Sequence, residues 1–183
     1  SVFSGALARN ALQIELEQGL PLFAIVLIDR SGEGLPGSEI AGLPIPVAVA
    51  MDPTVAGAAA AAEGYRATGH EVLILAENLP LNGNAADLTV AITGLLGQIP
   101  SAVGVLLPQG SDLGRNRAAM DQVATVLART GHGLVIVPQG LDSAGQAAEA
   151  ANVPTASIFR VLDENDEGVP LMTRYMDRAA FEA

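Results

Sequence analysis

Short apolar runs alternate with longer segments of helical period along almost the whole chain, and no other feature constrains its fold as tightly. The runs fall at residues 23–28, 46–51, 71–76, 103–107, 134–137 and 155–159. The first is apolar throughout and rich in Ile, Val and Phe, as suits a strand covered on both faces; a half-solvated strand would alternate. The pattern predicts strand–helix units on a parallel sheet, either closed as a barrel or layered.

The intervening segments carry helix signals. Met120, Val123, Ala124 and Leu127 share one face over residues 116–130, and Leu88, Ala91, Ile92, Leu95 and Leu96 share one over residues 85–96. Asn84 is placed to cap the latter with Asp87 three residues on, while Gly97 and Gly131 suit the left-handed residue that ends a helix. Residues 54–68 are Ala-rich, with Val55, Ala58, Ala62 and Tyr65 on one face for close packing against the sheet. Leu171, Tyr175 and Ala179 are in register for a terminal helix over residues 171–182. Two echoes support a repeated unit. Thr68-Gly69-His70 matches Thr130-Gly131-His132, and Pro108-Gln109-Gly110 matches Pro138-Gln139-Gly140, 30 residues on. Residues 21–183 read as one domain. Residues 1–20, with Leu12, Ile14 and Leu16 in alternation, read as an edge strand or an arm.

Composition narrows the partners. Nine arginines, no lysine and 20 acidic residues give a net charge of -11, which repels a phosphate backbone or an anionic membrane surface. Nucleic acid is therefore not expected as a partner. The longest apolar runs are far short of the ~20 residues of a spanning helix, so membrane insertion is not expected either, and no secretory leader is read. The absence of cysteine removes thiolate nucleophiles, thiolate metal sites and disulfides together.

Ligands of parallel α/β folds meet the carboxyl ends of the strands. That rule selects Asp29, Arg30, Asp52, Glu77, Asn78, Gln109, Ser111 and Gln139 as candidate rim residues, together with Asp112 and Arg160. His70 and His132 instead precede strands, on the opposite rim, where an imidazole bonds the last carbonyls of a helix. No zinc site is expected, because zinc takes imidazole or thiolate ligands. Asp29, Asp52, Glu77 and Asp112 supply the oxygen a hard cation prefers, but no ligand spacing marks them, and they read as solvated loop acids. Ser111 has no histidine on its own rim to activate it. Ser31-Gly32-Glu33-Gly34-Leu35-Pro36-Gly37 fits neither dinucleotide fingerprint nor P-loop and reads as a flexible turn.

Four segments, taken in order, resemble the divergent polysaccharide deacetylase family over roughly residues 21–180. They are Phe23-Ala24-Ile25-Val26-Leu27-Ile28-Asp29-Arg30, Ala67-Thr68-Gly69-His70-Glu71-Val72-Leu73, Ala102-Val103-Gly104-Val105 and Asn152-Val153-Pro154-Thr155. The resemblance implies a distorted (β/α)7-type barrel; the closing units of the family fall beyond the point matching Ala183, so either those last units are missing here or the barrel is open on that side. It also implies export to the bacterial periplasm and kinship with metal-dependent N-deacetylases of chitin-like or peptidoglycan sugars.

Relatives carry paired aspartates after the first strand, one resembling a general base and the other a metal ligand; the first matches Asp29 and the second is Arg30 here. Places where relatives hold histidines or an acid are taken by Leu75, Pro108-Gln109 and Pro138-Gln139. A metal polarises the amide and activates water in such enzymes, and without ligands Asp29 has nothing to activate. Arg30 is expected to fill the space of a cation and pair with Asp29 or another rim carboxylate, or else to lie in solvent.

The reading that follows is a non-catalytic cell-envelope domain, without metal or cofactor, binding a glycan or a protein partner. The alternative is an active carbohydrate N-deacetylase with an atypical site around Asp29, including a pair such as Asp29 with Asp52. A third is a scaffold that docks proteins through an exposed apolar patch. Sugar-stacking platforms look scarce, since there is no Trp and most of Phe3, Phe23, Phe159, Phe181, Tyr65 and Tyr175 read as core. An open sheet edge would invite dimerisation.

Overall fold

The computed structural model describes residues 5–14, 22–77, 79–80, 84–138, 143–163 and 168–182. The elements run α1 (Ala6–Asn10), β1 (Val26–Asp29), α2 (Gly37–Ala41), β2 (Ala48–Met51), α3 (Ala58–Ala67), β3 (Glu71–Leu75), α4 (Ala85–Gln98), β4 (Gly104–Leu107), α5 (Asp112–Arg115), α6 (Arg117–Thr130), β5 (Gly133–Ile136), α7 (Ser143–Ala150), β6 (Thr155–Ser157) and α8 (Val169–Glu182). The six strands are all parallel and lie in sequence order. They curl into a half-barrel with interleaved helices, open between β1 and β6.

Side-chain alternation divides the core into two layers. Val49, Met51, Val72, Ile74, Val105, Leu107, Leu134 and Ile136 face the helices and pack with Ala62, Ile92, Met120, Val123 and Leu127. Ala50, Leu73, Leu75, Val103 and Leu106 form the smaller concave cluster. Both faces of the central strands are therefore covered, which is why those runs are apolar without a break. Strand β6 is exposed along its length because, among the described residues, no strand pairs with its outer edge.

Local chemistry sets the helix ends. Asn84 and Asp87 form the reciprocal capping box at the start of α4, and Gly131 takes φ +71° at the end of α6. Gly97 does not end α4, which runs on to Gln98 and stops at Ile99. The Ala-rich helix starts only at Ala58, because Asp52 holds the N–H and hydroxyl of Thr54 in a turn and Gly57 follows at φ +86°. Val55 falls outside it and is exposed. The glycine-rich segment after β1 leads straight into α2, which buries Ile40. Helices α5 and α7, too short or too weakly patterned to read from sequence, complete the layer.

The N-terminal residues form no edge strand among those described; they make α1 and an extended tail. Leu7 N–H donates to the Gly131 carbonyl at 2.8 Å, Asn10 Nδ2 donates to the carbonyls of Pro100 and Ala102, and Leu12 N–H donates to Glu71 Oε1 at 2.8 Å. Arg66 ties the arm down through the Asn10 carbonyl. Leu7 and Ala11 pack on the concave cluster, so the arm is the floor of the half-barrel. Glycine makes this possible. A Cβ at Gly5 would run into the backbone of Gly131, and one at Gly131 into Gly5.

Candidate functional site

The concave face is a trough of about 2120 Å³, larger than the 300–1,000 Å³ typical of a small-molecule site. Of the rim residues selected from sequence, Arg30, Glu77, Gln109 and Ser111 line it, as do Asp112 and Arg160. Asn78 and Gln139 lie outside the described residues.

Asp29 does not line the trough. It is the last residue of β1, and alternation that turns Ile28 to the concave side turns Asp29 toward the helices. Its Oδ2 accepts the phenol proton of Tyr65 at 2.7 Å, and its Oδ1 accepts Ser31 N–H at 2.8 Å, with Ser31 in the left-handed region at φ +54°. Burial, and then the Asp29 hydrogen bond and charge, push the Tyr65 phenol well above its ordinary value of 10.0. Asp52 is likewise committed to its own loop through the N–H and hydroxyl of Thr54.

Arg30 pairs with Glu77, not with Asp29. Its Nη1 donates to Glu77 Oε1 at 3.2 Å, at the ends of β1 and β3. Those strands are second neighbours, roughly 10 Å apart by sheet spacing, so the long arginine crosses the end of β2. The pair is half-solvated, with side chains 48% and 33% exposed, and contributes at most about 1 kcal/mol to stability. Asp112 is paired with Arg115 at 2.6 Å. Arg160 stacks on the Tyr175 ring of α8, 4.6 Å from its centre.

Both histidines sit at the opposite rim, buried. Their backbone N–H groups, not their rings, bond the helix ends, at the carbonyls of Tyr65 and Leu127. The His70 ring accepts Val47 N–H at Nδ1, and that of His132 meets Thr130 Oγ1 at 2.8 Å. Among the described residues no three His, Asp or Glu side chains gather in a way that could hold a metal. The donors among the described residues therefore do not form a metal site.

Sequence reasoning missed Tyr65 as the partner of Asp29 and read most of the aromatic residues as core, whereas three phenylalanines are exposed and Phe3 lies outside the described residues. Phe23 and Phe159 are 46% and 67% exposed and line the trough, and Phe181 is 91% exposed. Among the described residues no strand lies beyond β1 or β6 for them to pack against.

The sequence profile of the divergent polysaccharide deacetylases matches residues 26–183. The chain belongs to the divergent polysaccharide deacetylase family. Among solved structures, this deacetylase-family domain is similar to the uncharacterized protein ATU2773 from Agrobacterium tumefaciens C58, with a TM-score of 0.74 and 20% identity over 97% of this chain and 79% of that one. At that identity the likeness speaks for the fold. A glycerol uptake operon antiterminator regulatory protein from Listeria monocytogenes gives a TM-score of 0.39 and 13% identity over 88% of this chain and 91% of that one, too low to bear on it. No curated protein sequence matches the chain. The family match begins within β1, so the arm and the floor it makes lie outside it.

Proposed function

We propose that this deacetylase-family domain is non-catalytic and holds a glycan or a protein partner in the trough between β1 and β6. One observation carries the reading: the guanidinium of Arg30 rests on Glu77 across the strand ends, where a metal-dependent relative would gather its ligands. The turning of Asp29 to Tyr65 supports it, since a carboxylate holding a phenol proton and a backbone N–H is poorly placed to take a proton from water. Gln109 and Ser111 line the same trough as the exposed rings of Phe23 and Phe159, and these are the group types that suit the hydroxyls and C–H face of a sugar. Among the described residues no helix is long and apolar enough to cross a membrane. The family supports an exported, cell-envelope location.

Calorimetry with Zn²⁺ and Co²⁺, on the unmodified chain and on Arg30→Asp, tests the first half of this reading. Acetate release from chitooligosaccharides tests the second. The expected results are no metal heat and no acetate from the unmodified chain, with oligosaccharide binding seen as a heat that Gln109→Ala weakens. Acetate release that disappears in Asp29→Ala would establish the active N-deacetylase instead.

A further inference from the structure

Three buried side-chain atoms have no hydrogen-bond partner among the described residues: His70 Nε2, Ser101 Oγ and His132 Nε2. All three precede adjacent strands, at the rim under the N-terminal arm. The two histidines occupy matching Thr-Gly-His segments yet have opposite tautomers. A backbone N–H can only donate, so the His70 Nδ1 that meets Val47 N–H is a bare lone pair and its proton sits on Nε2. At His132 the Thr130 hydroxyl gives its proton to the Val126 carbonyl at 2.9 Å. Nδ1 of His132 is therefore the donor to Thr130, and Nε2 is a buried lone pair open to a proton.

His132 adjoins Gly131, the residue on which the arm docks through Gly5 and the Leu7 N–H. The charges on the elements around it are Arg9 on α1, Arg129 in the last turn of α6, Arg117 and Asp121 paired with each other nearer the start of α6, and Glu149, exposed, on α7; β4 and β5 carry none. Among the described residues no carboxylate bonds the His132 ring, and the charge whose field reaches it is that of Arg9, so a new positive charge here finds no bonded acid partner.

We propose that the arm is an acid-released floor: a proton taken up at His132 Nε2 adds an unsatisfied N–H and a positive charge against the arm that carries Arg9, and residues 5–12 leave the rim. The proton comes from solvent and no bond is made or broken. Release uncovers the carbonyls of Pro100, Ala102 and Gly131, frees Glu71, and opens the bottom of the trough where Leu7 closed it. Burial, and secondarily the field of Arg9, already hold the His132 ring below the ordinary histidine range, as coupling to a docked arm requires. The inference does not rest on the trough's ligand.

Hydrogen exchange on the full chain, corrected for the intrinsic rate, tests it at about pH 7.5 and about pH 5, the span over which histidine titrates. The amides of Leu7 and Leu12 should lose protection about tenfold, one pKa unit of difference between docked and released states, while Val72 and Ile74 in β3 keep theirs. His132→Gln should abolish the pH dependence, and Arg9→Gln should shrink it. An NMR titration of the His132 ring in the unmodified chain keeps the test independent of whether the variants fold: its midpoint must coincide with that of release. A ring that titrates while Leu7 stays protected overturns the proposal. So does a loss that persists in His132→Gln and vanishes in Glu71→Gln, which would assign release to the carboxylate.

Discussion

The phenol of Tyr65, on α3, lies 2.7 Å from Oδ2 of Asp29 at the end of β1, joining the helical layer to the sheet beside its open edge. A hydrogen bond to a charged group stabilises by about 1.5–3 kcal/mol, and this one is partly buried. Tyr65→Phe should lower the unfolding free energy by about 1–2 kcal/mol in urea titrations, with the lost midpoint not recovered in Asp29→Asn on that background. A loss below the error of the measurement would show that Asp29 finds water as readily as the phenol.

The same contact sets an alkaline limit. The Tyr65 pKa is raised in the folded state, so its contribution is present in full below the ordinary value of 10.0 and is lost as pH rises through the raised one. Stability should therefore fall as pH rises above about 10 in the unmodified chain and fall less in Tyr65→Phe. Equal slopes for the two proteins would contradict the linkage.

Arg30 and Glu77 should couple weakly. A double-mutant cycle on Arg30→Ala and Glu77→Ala should give less than about 1 kcal/mol, vanishing at about 1 M salt as screening closes in. A larger, salt-resistant coupling would mean that the pair is shielded from water.

Gly104 and Gly133 face each other across β4 and β5 but differ in tolerance. A Cβ at Gly104 would stand 2.5 Å from the Gly133 oxygen, whereas one at Gly133 meets its nearest atom, the Pro154 oxygen, at 3.5 Å. Gly104→Ala should cost about 3 kcal/mol and Gly133→Ala under about 1 kcal/mol, read from denaturant midpoints. Similar costs at both positions would show that β4 shifts to absorb the methyl group.

The order of the elements was legible because the apolar runs had one physical explanation, burial on both faces of a parallel strand. Capping at Asn84 and Gly131 followed from short-range chemistry that needs no tertiary context. The site was less legible for the opposite reason. Asp29 sits at the end of β1, yet which face its carboxylate takes depends on one step of alternation and on a phenol 36 residues away. Phe23 and Phe159 looked like core because apolarity marks a wish for burial, and only topology shows that, among the described residues, no strand lies beyond β1 and β6 to grant it. Gly97 misled as a helix stop because glycine permits a left-handed residue without requiring one.

A sheet whose first and last strands never meet is a C-shaped spring rather than a hoop. Its gap is set by how the convex helices lean on one another, since among the described residues no strand pairs one lip with the other. A molecule that grips both lips would thus choose the curvature of the whole sheet, and the strain would be felt on the far side of the arc, where Gly104 and Gly133 leave the two backbones free of intervening side chains.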